Sequence, residues 1–190
     1  MPLVVVGNAR RREAFREVPD LGHGRVGPRH PDRVRRRDLR ASTSAADAVA
    51  RIVTSLLRPG ARWINQRGEE KPLTPADILV VAPYNAQVSL LGERLDPLGV
   101  RVGTVDRFQG QEAPIVVYSM AISTPEEAPR GMDFLYSLNR LNVATSRARC
   151  ACILVASPRL FEPECKSPRQ MQLANAVCRY VELARAVEVP

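Results

Sequence analysis

The chain has 190 residues, 45% of them apolar and 25% charged, which is enough for one domain with a real core. No apolar run reaches the roughly 18 residues a membrane helix needs. The opening MPLVVVGNARRR puts its arginines after a short apolar stretch, so a secretory leader is not expected either and a cytoplasmic location is. The net charge is +8, and residues 1–40 hold eleven arginines against five acids, a local balance of +6. Clustered arginines displace counterions from phosphate backbones, which points to nucleic acid, although a solvated, disordered arm would explain the same charge. Cys150, Cys152, Cys165 and Cys178 lack the paired spacing of a zinc site, so reduced thiols and no metal are the expectation.

Taken in order, residues 1–40 show no sustained period and carry Gly22, Gly24, Gly27, Pro28 and Pro31 between arginine clusters, which predicts an irregular arm or a truncated remnant. The folded domain is predicted over 41–190. Ser42–Ser44 can cap a helix running to about Leu57, with Ala45, Val49, Ile52, Val53 and Leu56 as its apolar stripe, stopped by Pro59-Gly60. Ile78–Ala82 is a short, β-branched apolar run, the mark of a buried parallel strand. A helix over about Asn85–Leu95 follows, then strands at Val100–Val105 and Ile115–Met120. A helix over about Phe134–Arg149, a strand at Cys152–Ala156 and a closing helix over Arg169–Ala186 complete the series. This alternation predicts a three-layer α/β domain with a mostly parallel sheet, in which ligands sit beyond the strand ends.

Three segments concentrate the polar chemistry: PYNAQ at 83–87, TVDRFQGQE at 104–112 and RLNVATSRAR at 140–149. In this order and at these lengths they resemble the fourth, fifth and sixth motifs of superfamily-one helicases. The branch is the one containing the nonsense-mediated-decay and Okazaki-maturation enzymes. The text around them resembles the carboxyl end of bacterial proteins that fuse a RecB-like nuclease to such a helicase. The resemblance spans about Ser42 to Arg185 and implies the second RecA-like domain of a two-domain motor, with DNA repair as one setting. It assigns Arg147 the arginine-finger role. Tyr84, Gln87, Gly110, Glu112 and Arg140 are implied to meet the nucleotide, with Tyr84 stacking on adenine. Thr104, Asp106 and Gln109 are implied to meet a single strand of DNA or RNA. ATP with magnesium is the implied cofactor, and a first RecA-like domain, in cis or in trans, the implied partner.

Phosphoryl transfer needs positive charge at the γ-phosphate as negative charge shifts in the transition state, which is what an arginine at position 147 would supply. On one helix, Arg140 and Arg147 share a face with Val143 and Ala144, small enough for a partner surface to approach, while helix spacing alone allows a plain solvated face. Ala113-Pro114 departs from a basic–acidic pair common in the family, which puts a salt bridge there in doubt. No GxxxxGK[ST] loop occurs in the 190 residues, and no acidic pair ends an apolar strand, so this chain alone is not expected to hydrolyse ATP. The rival expectation is a non-catalytic nucleic-acid-binding adaptor built on an orphaned motor domain. Glu164-Cys165-Lys166 with Pro31-Asp32 matches a nuclease pattern only loosely, since Pro163 and Pro168 place the triplet in a loop.

Overall fold

The structure, a computed structural model, describes residues 3–8, 36–108 and 110–188. A strand β1 (Leu3–Asn8) precedes helix α1 (Arg36–Leu56), a hairpin of β2 (Arg62–Ile64) and β3 (Glu70–Pro72), strand β4 (Ile78–Ala82) and helix α2 (Asn85–Leu95). Then come β5 (Arg101–Thr104), β6 (Ala113–Ser119), helices α3 (Met132–Leu135) and α4 (Leu138–Ser146), β7 (Ala148–Ala156), α5 (Pro168–Leu183) and β8 (Arg185–Val187). The main sheet has the order β5-β4-β6-β7-β1-β8. β5, β4, β6 and β7 run parallel, and β1 lies antiparallel to both β7 and β8.

Every residue of β4 and of β6 is buried, which is why both read as continuous apolar runs rather than alternations. The pleat still divides them. Leu79, Val81, Val116, Tyr118 and Leu154 pack with Leu135, Leu141, Leu173 and Val177 of α3, α4 and α5. Ile78, Val80, Ile115, Val117 and Ile153 pack with Val49, Val53, Leu91 and Leu95 of α1 and α2. The domain is therefore three-layered, α/β/α, as expected of a RecA-like unit.

Several elements differ from the sequence expectation. Residues 3–8 belong to the sheet rather than to an arm: Val4 and Val5 are each 1% exposed and pack into opposite cores. α1 starts at Arg36, so Ser42–Ser44 lie inside the helix and do not cap it. The single helix predicted over 134–149 is two helices, parted at Tyr136, whose ring is fully buried and whose hydroxyl donates to the Leu160 carbonyl at 2.7 Å. The chain then enters β7 at Ala148, four residues before the predicted strand, and Arg149 stands on a strand. α5 ends at Leu183, and the remainder of the predicted helix forms β8. The β2–β3 hairpin has no counterpart among the predicted elements. Asn65 closes it by accepting the N–H groups of Arg67 (2.8 Å) and Glu69 (3.0 Å).

Because β4 lies between β5 and β6, residues 105–112 must carry the chain across the sheet, and Val105 and Phe108 pack into the α3–α5 core as they do so. Gly103 permits this. A Cβ there would lie 2.8 Å from Arg107 Cδ and 3.0 Å from the Phe108 ring, closer than packed atoms approach.

Candidate nucleotide and nucleic-acid site

At the amino ends of β6 and β7, the backbone joins two of the sequence segments. Arg147 is the C-cap residue of α4, and its carbonyl accepts the N–H of Ala113 at 3.0 Å, which sets Arg147 beside Glu112. Its Nε is buried and has no hydrogen-bond partner among the described residues. Glu112 is exposed and faces Arg149 Nε at 3.7 Å, a pair in which both side chains are 47% exposed. The turn before Glu112 passes through Gly110 at φ +84°, a left-handed conformation that disfavours any side chain. Gln111, between them, accepts from Arg101 at 3.0 Å, and Arg101 is itself braced on the Ala76 carbonyl at 2.9 Å.

The second group gathers at the carboxyl ends of β4 and β5. Arg140, on the first turn of α4, pairs with Asp106 at 3.2 Å and lies 4.1 Å over the Phe134 ring. Tyr84 packs on the same ring at 5.3 Å, and exposed Arg130 covers it at 4.8 Å. Thr104 ends β5 half-buried beside this group. Gln87 is 1% exposed and donates to Ser119 Oγ at 3.2 Å, so it serves the core. Below lies Tyr118. Burial pushes its hydroxyl well above the usual tyrosine range, against the lowering field of the Arg140 guanidinium. Gln109 lies outside the described residues.

These two groups lie at opposite ends of β6. Val81 is in register with Tyr118, so Tyr84 stands beyond the last residue of β6, whereas Glu112 stands before its first. At about 3.3 Å per residue, β6 alone puts more than roughly 20 Å between them along the strand direction. Arg140 and Arg147 are about 10 Å apart along the α4 axis. Gly110, Glu112 and Arg147 are brought together. Tyr84, Gln87 and Arg140 fall on the side of Thr104 and Asp106. Ala144, expected on a face open to a partner, is 1% exposed and packed in the core.

The family model described as "AAA domain" matches residues 26–159. The chain belongs to the AAA domain family. An uncharacterized ATP-dependent helicase of Caenorhabditis elegans is 46% identical over 115 residues, which is 60% of this chain and 7% of that protein. The "DNA replication ATP-dependent helicase/nuclease JHS1" of Arabidopsis thaliana is 28% identical over 143 residues, covering 74% of this chain and 10% of its own. The "Regulator of nonsense transcripts 1 homolog" of Neurospora crassa is 32% identical over 128 residues, 63% of this chain and 10% of that protein. The chain thus spans at most a tenth of each of these three relatives. With such relatives it is a helicase-type AAA domain of superfamily one.

Two residues of this AAA domain's candidate site escaped the sequence patterns. Arg149 ends the helix predicted over 134–149, and only the early start of β7 turns it toward Glu112. Arg101 opens a strand with no motif around it, and its role depends on a tertiary contact to Gln111. The Ala113-Pro114 departure is accommodated: both residues are buried in β6 and the Glu112–Arg149 pair supplies a neighbouring charge contact. Among the described residues no three His, Cys, Asp or Glu side chains converge to hold a metal ion, and no helix is long and apolar enough to cross a membrane.

Proposed function

We propose that this domain is the second motor domain of an ATP-dependent helicase and that Arg147 is its arginine finger. The observation that carries this is the buried, unpartnered Nε of Arg147. A buried guanidinium N–H without an acceptor is unfavourable by about 1–3 kcal/mol, and a phosphate oxygen from outside the domain would satisfy it. The same atom requires an anionic acceptor, as a nucleotide phosphate is, and Glu112 and Gly110 beside it suit the rest of a nucleotide. When bound, ATP with its magnesium ion supplies the phosphoanhydride bond whose cleavage powers movement.

This chain's residues then have separate tasks. Arg147 opposes the negative charge that develops on the transferring phosphoryl group. The Glu112 carboxylate accepts from a nucleotide hydroxyl, and Arg149 limits its swing. Gly110 lets the backbone approach closely because no Cβ intervenes. The magnesium ligands and phosphate loop, absent from this sequence, belong to a first RecA-like domain in cis or in trans. On the other edge, Thr104 and Asp106 face a single strand of DNA or RNA, to which the motif also assigns Gln109. Arg140 is a positioning residue there: its pairing with Asp106 ties the strand-facing segment to the helix that ends in Arg147. Tyr84 packs on Phe134 in that tie. Placement at the carboxyl end of a larger nuclease–helicase polypeptide is supported by the 157–176 text and by a relative named as a helicase/nuclease.

ATP turnover tests this in two forms of the protein. Residues 1–190 alone should show no nucleic-acid-stimulated hydrolysis above background, and a protein that joins them to a phosphate-loop RecA-like domain should show it. Turnover by the pure chain would overturn the shared-site reading. Failure of the joined form, with single-strand binding intact, would favour a binding adaptor.

A further inference from the structure

The group at the carboxyl ends of β4 and β5 holds a cation that belongs to none of the three motif segments. Arg130 lies just ahead of α3 in the tight turn 128–131, which the Gly131 N–H closes by donating to the Ala128 carbonyl at 2.9 Å. Pro129 takes the second position of that turn, where its fixed φ stiffens the backbone under Arg130. The Arg130 guanidinium lies 4.8 Å from the centre of the Phe134 ring, and the Arg140 guanidinium lies 4.1 Å from the same centre. One ring therefore seats two cations, and only one of them is neutralised. Arg140 pairs with Asp106 at 3.2 Å, whereas among the described residues no carboxylate pairs with Arg130. Asp133, three residues on, is engaged by Arg169 at 3.6 Å. Arg130, Arg140 and Asp106 together leave one positive charge unmet, and it stands on an exposed side chain.

We infer that Arg130, seated on Phe134, is a backbone contact for the single strand and gives its guanidinium N–H groups to one phosphodiester of DNA or RNA beside Thr104 and Asp106. The inference rests on the strand-facing reading of that edge and adds a residue to it. A solvated arginine must be ordered before it can hold a ligand, and the turn and the ring have ordered this one already. The planar fork of a guanidinium matches two oxygens of a phosphate. Phe134 already carries Arg130, Arg140 and Tyr84, the last at 5.3 Å, which favours the phosphate over a stacked base as the group met here. Asp106 does not repel that phosphate, because Arg140 offsets its charge. A contact of this kind fixes the path of the strand and is blind to its sequence.

The test is fluorescence anisotropy of labelled oligothymidylate and oligouridylate, titrated with the 190-residue chain at salt concentrations from about 50 to 200 mM. Arg130→Ala should reduce the steepness of log affinity against log salt by about 0.7, the counterion release of one phosphate in a single strand, and weaken binding roughly fivefold at the lower salt. The loss should be equal on the DNA and the RNA strand, which share the phosphodiester. Arg130→Lys should keep the parental steepness and recover part of the affinity, since an ammonium carries the charge without the fork. Arg67→Ala removes an exposed arginine from the β2–β3 hairpin and should change neither quantity. The proposal is overturned if Arg130→Ala keeps the parental steepness, if Arg67→Ala lowers it as much, or if the loss falls on one strand alone. A parental chain that binds neither strand removes the strand-facing reading itself and the proposal with it, an outcome distinct from tight parental binding that Arg130→Ala leaves unchanged.

Discussion

Arg147 and Arg149 are two residues apart in sequence and differ in what the fold asks of them. The Arg147 Nε is sealed from water without an acceptor among the described residues, while Arg149 is half-exposed and loosely paired. In the isolated domain, Arg147→Met should therefore be neutral or stabilising by up to about 1 kcal/mol in urea unfolding, because it removes an unsatisfied buried group. A loss above about 2 kcal/mol would mean the side chain holds the fold together. Arg149→Ala should stay within about 0.5 kcal/mol, as exposed pairs do. Arg140 differs again. It joins an ion pair to a cation–π contact, so Arg140→Ala should destabilise by about 1 kcal/mol and weaken single-strand binding by freeing Asp106. Unchanged affinity and stability together would remove its positioning role.

Among elements, β4 and α2 were legible to the residue. Ile78–Ala82 is a β-branched run too short for a helix, and the 85–95 apolar spacing has one clear period. The motif segments were legible as text, but their distribution over two sheet edges was not, because strand register is a tertiary fact. β1 was hidden because its short valine run is followed by an arginine-rich stretch, and nothing local reveals that its partners are β7 and β8. The helix break at Tyr136 was hidden too, since no glycine or proline marks it and a tyrosine–carbonyl bond does. Removing residues 1–8 should consequently abolish cooperative unfolding rather than trim an arm, as the melting curve of the truncated chain would show. Gly103→Ala should cost about 1–3 kcal/mol, since its Cβ would push Arg107 and Phe108 outward. A melting temperature equal to that of the parent would show that residues 106–108 adjust freely.

For the whole molecule, the buried acids set an alkaline limit. Burial raises Cys152 from 9.0 to about 11, and it raises Tyr118, Tyr136 and Tyr180 as well. Each group holds its proton more tightly folded than unfolded, so its contribution is complete below the unfolded pKa and is lost as pH rises through the folded one. Stability should fall from about pH 9 upward, measured as urea midpoints between pH 7 and 11, and a flat profile would contradict the burial of these groups. The arginines of residues 1–40 carry +6 of the +8 charge. Neutralising Arg10–Arg12 and Arg35–Arg37, with β1 kept, should flatten the salt dependence of single-strand binding.

The central claim is that this domain completes an ATP site with Arg147. Its most direct measurement is the kcat and the nucleotide Kd of Arg147→Ala in a protein that carries both motor domains. kcat should fall about 10³-fold or more while Kd changes less than about tenfold, because the guanidinium acts mainly in the transition state. Near-normal turnover by Arg147→Ala would contradict the claim.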